Sequence, residues 1–180
     1  MIEFKKIEGS SDPLFAPMFE LYHEAFPPSE RRTLDDLTRI LDTEPRFTAS
    51  ALMREGQFAG FFTHWTFDRF VYGEHFAVDP ALRGQNLGTE TIQAFLALHT
   101  LPVVLEVEMP DEPDAIRRIH FYERNGFKVV QHPYAQPYYD GSGRMLPMLI
   151  MTNDTHFANK NFPLIKKTLY EEVYGVTVND

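Results

Sequence analysis

Residues 76–89 read Phe76-Ala77-Val78-Asp79-Pro80-Ala81-Leu82-Arg83-Gly84-Gln85-Asn86-Leu87-Gly88-Thr89, and the fold is decided here. An apolar strand end at 76–78 meets the breaker Asp79-Pro80. A loop with two glycines follows, and a helical pattern begins at Thr89. Such a loop turns successive backbone N–H groups toward one point, where the helix N-terminus adds about half a positive charge. Gly84 and Gly88 leave the backbone open to an approaching anion, and Arg83 adds a planar cationic fork. A plain strand-to-helix turn is the other reading of the same residues. No Gly-Lys-Ser/Thr follows, which excludes a Walker loop, and the glycine spacing is wrong for a dinucleotide fingerprint.

Upstream, Phe70–Val78 is the third strand of a meander. Its partners are Phe47–Met53 and Phe58–Phe67, joined by turns at 54–57 and at Asp68-Arg69. Before the meander come a short strand, Ile2–Ile7, and two helices. Asp12-Pro13 opens the first, with Leu14, Met18, Leu21, Tyr22 and Ala25 at helical spacing. Pro27-Pro28 ends it, and Ser29 caps the second, whose stripe is Leu34, Leu37, Ile40 and Leu41. Downstream of the loop the pattern predicts a helix over Thr89–His99, a strand over Val103–Val107 and a helix over Glu112–Arg124 closed by Asn125-Gly126. Strands at Phe127–Val130 and Met145–Met151 and a tail helix over Asn161–Tyr174 complete the chain. This order predicts an α/β fold with a mixed, mostly antiparallel central sheet, one βαβ unit and helices on both faces. One domain spans 1–156. Residues 157–180 form a helical extension that packs on the same domain or on a dimer partner.

Composition narrows the function. There is no cysteine, which removes disulfides, thiolate metal sites and a cysteine nucleophile. Net charge is −9, which argues against nucleic acid and tilts toward a cationic acceptor. The N-terminal residues lack a signal-peptide pattern, and no apolar run approaches the roughly 20 residues of a membrane span. A cytoplasmic location is therefore expected, with no membrane partner. The histidines show no metal-ligand spacing, so no metal is expected. Ser29, Ser50 and Ser142 lack a nucleophile-elbow context.

Val78-Asp79-Pro80-x-x-Arg83-Gly84-x-x-x-Gly88 resembles the acetyl-CoA motif of the GNAT superfamily of N-acetyltransferases, commonly Arg-Gly-x-Gly-x-Gly. Asn86 stands where the middle glycine usually is, and Asn is the other residue that best tolerates positive φ. Downstream, Ile119-His120-Phe121-Tyr122-Glu123-Arg124-Asn125-Gly126-Phe127 resembles the family signature Phe-Tyr-x-x-x-Gly-Phe. Ala115 holds the place, seven residues before Tyr122, where the family often has Asn. The element order matches the family over roughly residues 2–151.

The resemblance implies the GNAT-like acyl-CoA N-acyltransferase fold and acetyl-CoA as co-substrate, with an amine acceptor and a monomer or homodimer. The backbone of Phe76, Ala77 and Val78 would hold the pantetheine and polarise the thioester carbonyl. Arg83, Gly84, Gln85, Asn86, Leu87, Gly88 and Thr89 would hold the pyrophosphate. Tyr122 would be the general acid toward the departing sulfur, and Glu74 a base acting through water. The implied reaction is acetyl transfer to a primary amine of a small molecule or peptide, by direct attack in a ternary complex. A non-catalytic acyl-CoA-binding or sensor module on the same fold is the alternative.

Each candidate also has a plainer reading. Tyr122 could pack at a helix end, and Glu74 could be a solvated strand residue. Strand alternation predicts that His75 faces away from Glu74. Glu106 and Glu108, on one face of a strand, could bind an amine or act as base, or Glu106 could instead pair with Arg117 or Arg118. Phe61, Phe62, Trp65 and Phe67 on one hairpin, and Tyr134, Pro137, Tyr138 and Tyr139 before the last strand, could wall an acceptor pocket or fill the core. Gly141-Ser142-Gly143 suggests a lid.

Overall fold

Three long β-rich segments between residues 47 and 78 organise the first half of the chain. In the computed structural model, residues 1–177 are described. They fall into two units, Met1–Leu101 and a second from Pro102 onward. In the first, β1 (Glu3–Lys6), β2 (Phe47–Arg54), β3 (Gln57–Thr66) and β4 (Val71–Val78) form an antiparallel sheet in chain order. The β2–β3 hairpin turns on Glu55 (φ 52°) and Gly56 (φ 77°), with Arg54 opposite Gln57. Two central residues at positive φ match the twist of the strands they join.

Helices cover both faces of this sheet. Phe61 meets Tyr22 of α1 (Phe15–Ala25), with ring centroids 5.9 Å apart. The next residue, Phe62, stacks at 4.2 Å on Phe95 of α3 (Leu87–Leu98). Between α1 and α3 in the chain lies α2 (Leu34–Thr43), capped by Thr33, whose hydroxyl accepts the Asp36 N–H at 3.2 Å. Ser29, expected as that cap, sits instead in a 3₁₀ turn, Pro28–Glu30. Asp12 does not cap α1 either. Its carboxylate accepts N–H groups of Leu14 and Glu8 and organises the turn ahead of the helix.

Two irregularities shape β3 and β4. Thr63 lies opposite His75 but His64 lies opposite Gly73, so Glu74 is an extra residue, a bulge on β4. Gly60 has φ 155°, and a Cβ there would fall 2.3 Å from the Ala77 carbonyl oxygen. Only glycine lets β3 run this close to the end of β4.

The second unit holds β5 (Val103–Glu108), α4 (Pro113–Arg124), β6 (Lys128–Val129), β7 (Tyr134–Pro137) and β8 (Met145–Thr152). β8 is central, with β5 antiparallel on one edge and β6 and β7 antiparallel on the other. β7 lies in the aromatic stretch before the last strand, where the sequence pattern predicts no strand. Its closing Pro137 lacks a ladder donor, which hides an edge strand from pattern reading. The single tail helix expected over Asn161–Tyr174 is instead broken. α5 (Thr155–Lys160) and α6 (Phe162–Thr168) meet at Asn161, outside helical geometry at φ −116°, ψ 18°, and a π-helical turn, Leu169–Val173, follows. Pro163 has no N–H to continue the ladder of α5 and suits the first turn of a new helix. The tail packs within its own unit: Phe162 stacks on His132 at 4.6 Å, and the Tyr170 hydroxyl donates to the Ala135 carbonyl at 2.5 Å. Residues 178–180 of the expected extension lie outside the described ones.

Candidate functional site

After β4, Asp79 tightens the chain: its N–H donates to the Ala59 carbonyl and its side chain accepts the Ala81 N–H, both at 2.9 Å. A 3₁₀ turn, Pro80–Leu82, follows, and Arg83 is extended. Gly84 (φ 81°) and Asn86 (φ 63°, ψ 12°) then bend the backbone into α3. The helix starts at Leu87, two residues earlier than its pattern predicts. Its first intrahelical bond runs from Glu90 N–H to the Asn86 carbonyl at 3.1 Å. The N–H groups of Leu87, Gly88 and Thr89 come before that bond, in the turn that no helix satisfies from within. Leu87 is buried and anchors the turn, while Arg83, Gly84, Gln85 and Asn86 are exposed. Arg54 reaches the loop from the β2–β3 hairpin and donates to the Gln85 amide oxygen at 3.4 Å. Exposed donors, a helix N-terminus and two arginines make this loop fit for an anion such as a diphosphate. Phe76, Ala77 and Val78, partly exposed, lead into it at the end of β4.

Glu74 is not a solvated strand residue. Its side chain is 1% exposed and ion-paired with Arg32, and the Trp65 indole N–H donates to its other oxygen at 3.3 Å. His75 does not face away: its Nδ1 lies 3.8 Å from that same oxygen. The bulge removes the alternation that separates neighbours on a regular strand. Burial alone would raise the Glu74 carboxyl, but Arg32 and His75 outweigh it and hold the group at about 2. His75 Nε2 donates to the Glu30 carbonyl at 2.7 Å, and the Arg32 backbone N–H donates to the Tyr22 hydroxyl at 2.6 Å. The α1–α2 connection is thus tied to β4 through polar contacts. Sequence reading missed Arg32, because nothing in the pattern of that connection marks one arginine as buried.

In the second unit, Tyr122 is a buried residue of α4. Burial pushes its hydroxyl up to about 12, against a smaller opposing effect of Arg118. It therefore keeps its proton at neutral pH. Its carbonyl accepts N–H groups of Asn125 (3.0 Å) and Phe127 (3.1 Å), and Gly126 reverses the chain at φ 92°. Phe127 then packs against the Tyr122 ring at 5.7 Å. Glu106 takes neither Arg117 nor Arg118. Those pair with Asp114 and Glu108, whereas Glu106 accepts the hydroxyls of Tyr134 and Tyr174. Phe61, Phe62, Trp65 and Phe67 are all buried. Among the described residues, no group of three His, Cys, Asp or Glu could hold a metal, and no helix is long and apolar enough to cross a membrane.

Comparison with known proteins agrees with this geometry. The pattern of the Acetyltransferase (GNAT) family matches residues 15–127. A structure from Bacteroides thetaiotaomicron, provisionally named an acetyltransferase of the GNAT family, is 38% identical. It aligns over 97% of this chain and 99% of its own, with a TM-score of 0.92. YjbC of Bacillus subtilis (strain 168), provisionally named an acetyltransferase, is 40% identical over 67 residues. That match spans 36% of this chain and 34% of YjbC's length. A GNAT family acetyltransferase from Elizabethkingia anophelis, solved with acetyl-CoA bound, shares the fold at 11% identity, with a TM-score of 0.57 over 84% of this chain and 96% of its own. The strand–loop–helix at 76–89, the turn of Gly126 onto Phe127 and a near-complete structural match at 38% identity carry one conclusion: the chain belongs to the GNAT family of acetyltransferases.

Proposed function

We propose that this protein transfers the acetyl group of acetyl-CoA to a primary amine of a small molecule or peptide, by direct attack in a ternary complex. The observation that carries the reading is the loop at 83–89, with exposed Arg83, Gly84, Gln85 and Asn86, the last left-handed ahead of α3, leading into the helix N-terminus. In this proposal Arg83, Gly84, Gln85, Asn86, Leu87, Gly88 and Thr89 take the pyrophosphate, and the backbone of Phe76, Ala77 and Val78 takes the pantetheine and polarises the thioester carbonyl.

The amine nitrogen attacks the carbonyl carbon, forming the C–N bond. The C–S bond breaks, the nitrogen gives up a proton, and the sulfur gains one to leave as CoA thiol. Tyr122, whose raised pKa keeps it protonated, is the proposed donor to sulfur. Glu74, anticipated as the base, is a weak proton acceptor at about 2. Its pairing favours a positioning role, holding Arg32 and the α1–α2 connection against β4, with the nitrogen's proton passing to water.

A non-catalytic acyl-CoA-binding module is the second reading, favoured by this tied-up carboxylate. Calorimetric titration with acetyl-CoA tests the coenzyme site: binding lost in an Arg83→Ala, Gly88→Glu double variant is expected, and no heat in the wild type at several temperatures would remove both readings. CoA release with an amine panel then separates catalysis from mere binding.

A further inference from the structure

Phe19, His23, Pro28, Arg31, Thr33 and Leu34, with the buried Arg32, line a cavity of about 360 Å³ where α1 gives way to α2. Small-molecule sites run from roughly 300 to 1,000 Å³, so this one suits a single ring with a short tail. No acidic residue lines it, in a chain whose net charge is −9. Arg32 is compensated by Glu74 and Asp36. Arg31, half-buried, pairs with no carboxylate among the described residues. Its Nη1 donates to the carbonyls of His23 and Phe26, both at 2.5 Å, and closes the C-terminal end of α1. A helix C-terminus carries only about half a negative charge, so part of the arginine's charge stays unmatched. Arg31 Nη2 lies 2.9 Å from His23 Nε2. A guanidinium only donates, so Nε2 accepts and the His23 proton sits on Nδ1. Arg31 Nε–H and His23 Nδ1–H are then two donors that no other described residue uses. The remaining walls are apolar. The Phe19 ring lies 6.1 Å from that of His23, and Pro28 is exposed. Leu34 belongs by sequence to the stripe of α2, yet it is 46% exposed, while Leu37 and Ile40 take the core.

We infer that this cavity binds a small amphipathic carboxylate, its acid group on Arg31 and His23 and its aryl or branched-alkyl body against Phe19 and Leu34. The inference stands apart from the transfer reading above. A neutral apolar guest would leave the cation and both donors unmatched. A phosphate brings about −1.5 to −2, more than one arginine already partly offset by α1 can balance. A monocarboxylate matches the single cation, accepts both donors in charge-assisted bonds and leaves its body for the apolar walls.

Three matched probes test this: 3-phenylpropanoate, 3-phenylpropanamide (the same shape without the charge) and acetate (the acid without the body). Each is titrated into the full chain and followed by NMR. The wild type is expected to bind 3-phenylpropanoate at least about tenfold more tightly than either partial probe. Arg31→Met should level the acid and the amide, and its melting is recorded because α1 loses its closing contact. Leu34→Glu keeps that contact and sets a carboxylate at the cavity, in a helix first turn where an acid is favourable. It should weaken 3-phenylpropanoate at least about tenfold with cooperative melting retained, whereas Leu34→Gln should keep the preference for acid over amide. Equal affinity for acid and amide, no binding of 3-phenylpropanoate at millimolar concentration, or an acid affinity unmoved in Leu34→Glu would overturn the assignment. Phenylalanine with acetyl-CoA then tells the source of the acid: an acetylated product makes it the acceptor's own carboxylate, and binding without product makes it a separate ligand. Acetyl-CoA binding is measured separately. A protein that binds the coenzyme but does not discriminate the probes loses only this inference, and one that discriminates without binding the coenzyme loses only the transfer reading.

Discussion

Glu74 and His75 are chain neighbours on a β-strand, yet both face α1, with His75 Nδ1 3.8 Å from a Glu74 oxygen. The bulge at Glu74 turns what would have been a residue on the α3 side into the partner of a buried arginine. The Arg32 side chain is only 1% exposed.

Breaking this pair from one side leaves a buried charge uncompensated. Arg32→Met is expected to destabilise the protein by about 3–5 kcal/mol, and Arg32→Met with Glu74→Leu by much less. Urea denaturation of both variants checks this, and equal losses would mean the pair is not coupled. The pH dependence has a definite sign. The folded Glu74 carboxyl lies below its ordinary 4.5, at about 2, so its contribution is present above pH 4.5 and fades as pH falls toward 2. Glu74→Gln should flatten that part of the stability curve.

Asn86 holds α3's entry at φ 63°. Asn86→Gly should keep acetyl-CoA affinity and stability close to wild type. Asn86→Val should cost about 1–2 kcal/mol, since a β-branched residue resists the left-handed region. It should also weaken acetyl-CoA binding, because the loop's N–H groups would no longer converge. Melting and calorimetry together decide the matter, and undiminished affinity in the valine variant would mean that the loop's shape does not depend on this residue.

Much of this was legible in the chain, and the losses have physical causes. The loop at 76–89 and the Gly126 turn rest on local backbone requirements, which residue identity states directly. Helix starts were less secure: Asp12 and Ser29 are good caps in isolation, but here Asp12 organises a turn and Ser29 joins a 3₁₀ turn. The bulge is invisible in a run such as Val71–Val78, because register is set by the facing strand. With the bulge hidden, Glu74's environment could not be read. Nor could the tyrosines on Glu106, since Tyr134 and Tyr174 lie 28 and 68 residues away from it.

His64 of β3 is 9% exposed, with its ring 5.1 Å from Phe95 and 5.0 Å from His99. Burial, and then His99, lower its pKa from 6.5 to about 4. The unfolded chain therefore binds a proton below pH 6.5 that the folded chain refuses until about pH 4. Stability should fall across that window as pH drops, by up to about 3 kcal/mol. His64→Leu should remove most of this slope while leaving stability at pH 8 within about 1.5 kcal/mol. An unchanged slope in thermal or urea unfolding between pH 7 and 4 would assign the effect to other groups.

Tyr122 separates the catalytic role from the packing role. Tyr122→Phe keeps the ring that packs against Phe127 and removes only the hydroxyl. If that hydroxyl protonates the leaving sulfur, kcat should fall by about a hundredfold or more, with KM and Kd for acetyl-CoA nearly unchanged. With the tyrosine's pKa raised to about 12, the wild-type rate should not fall on the alkaline side below about pH 10 through loss of this proton. The rate should instead rise as the acceptor amine deprotonates. A Phe variant that keeps kcat within twofold, or a wild-type rate already falling by pH 9, would leave Tyr122 a packing residue and require another proton donor to sulfur.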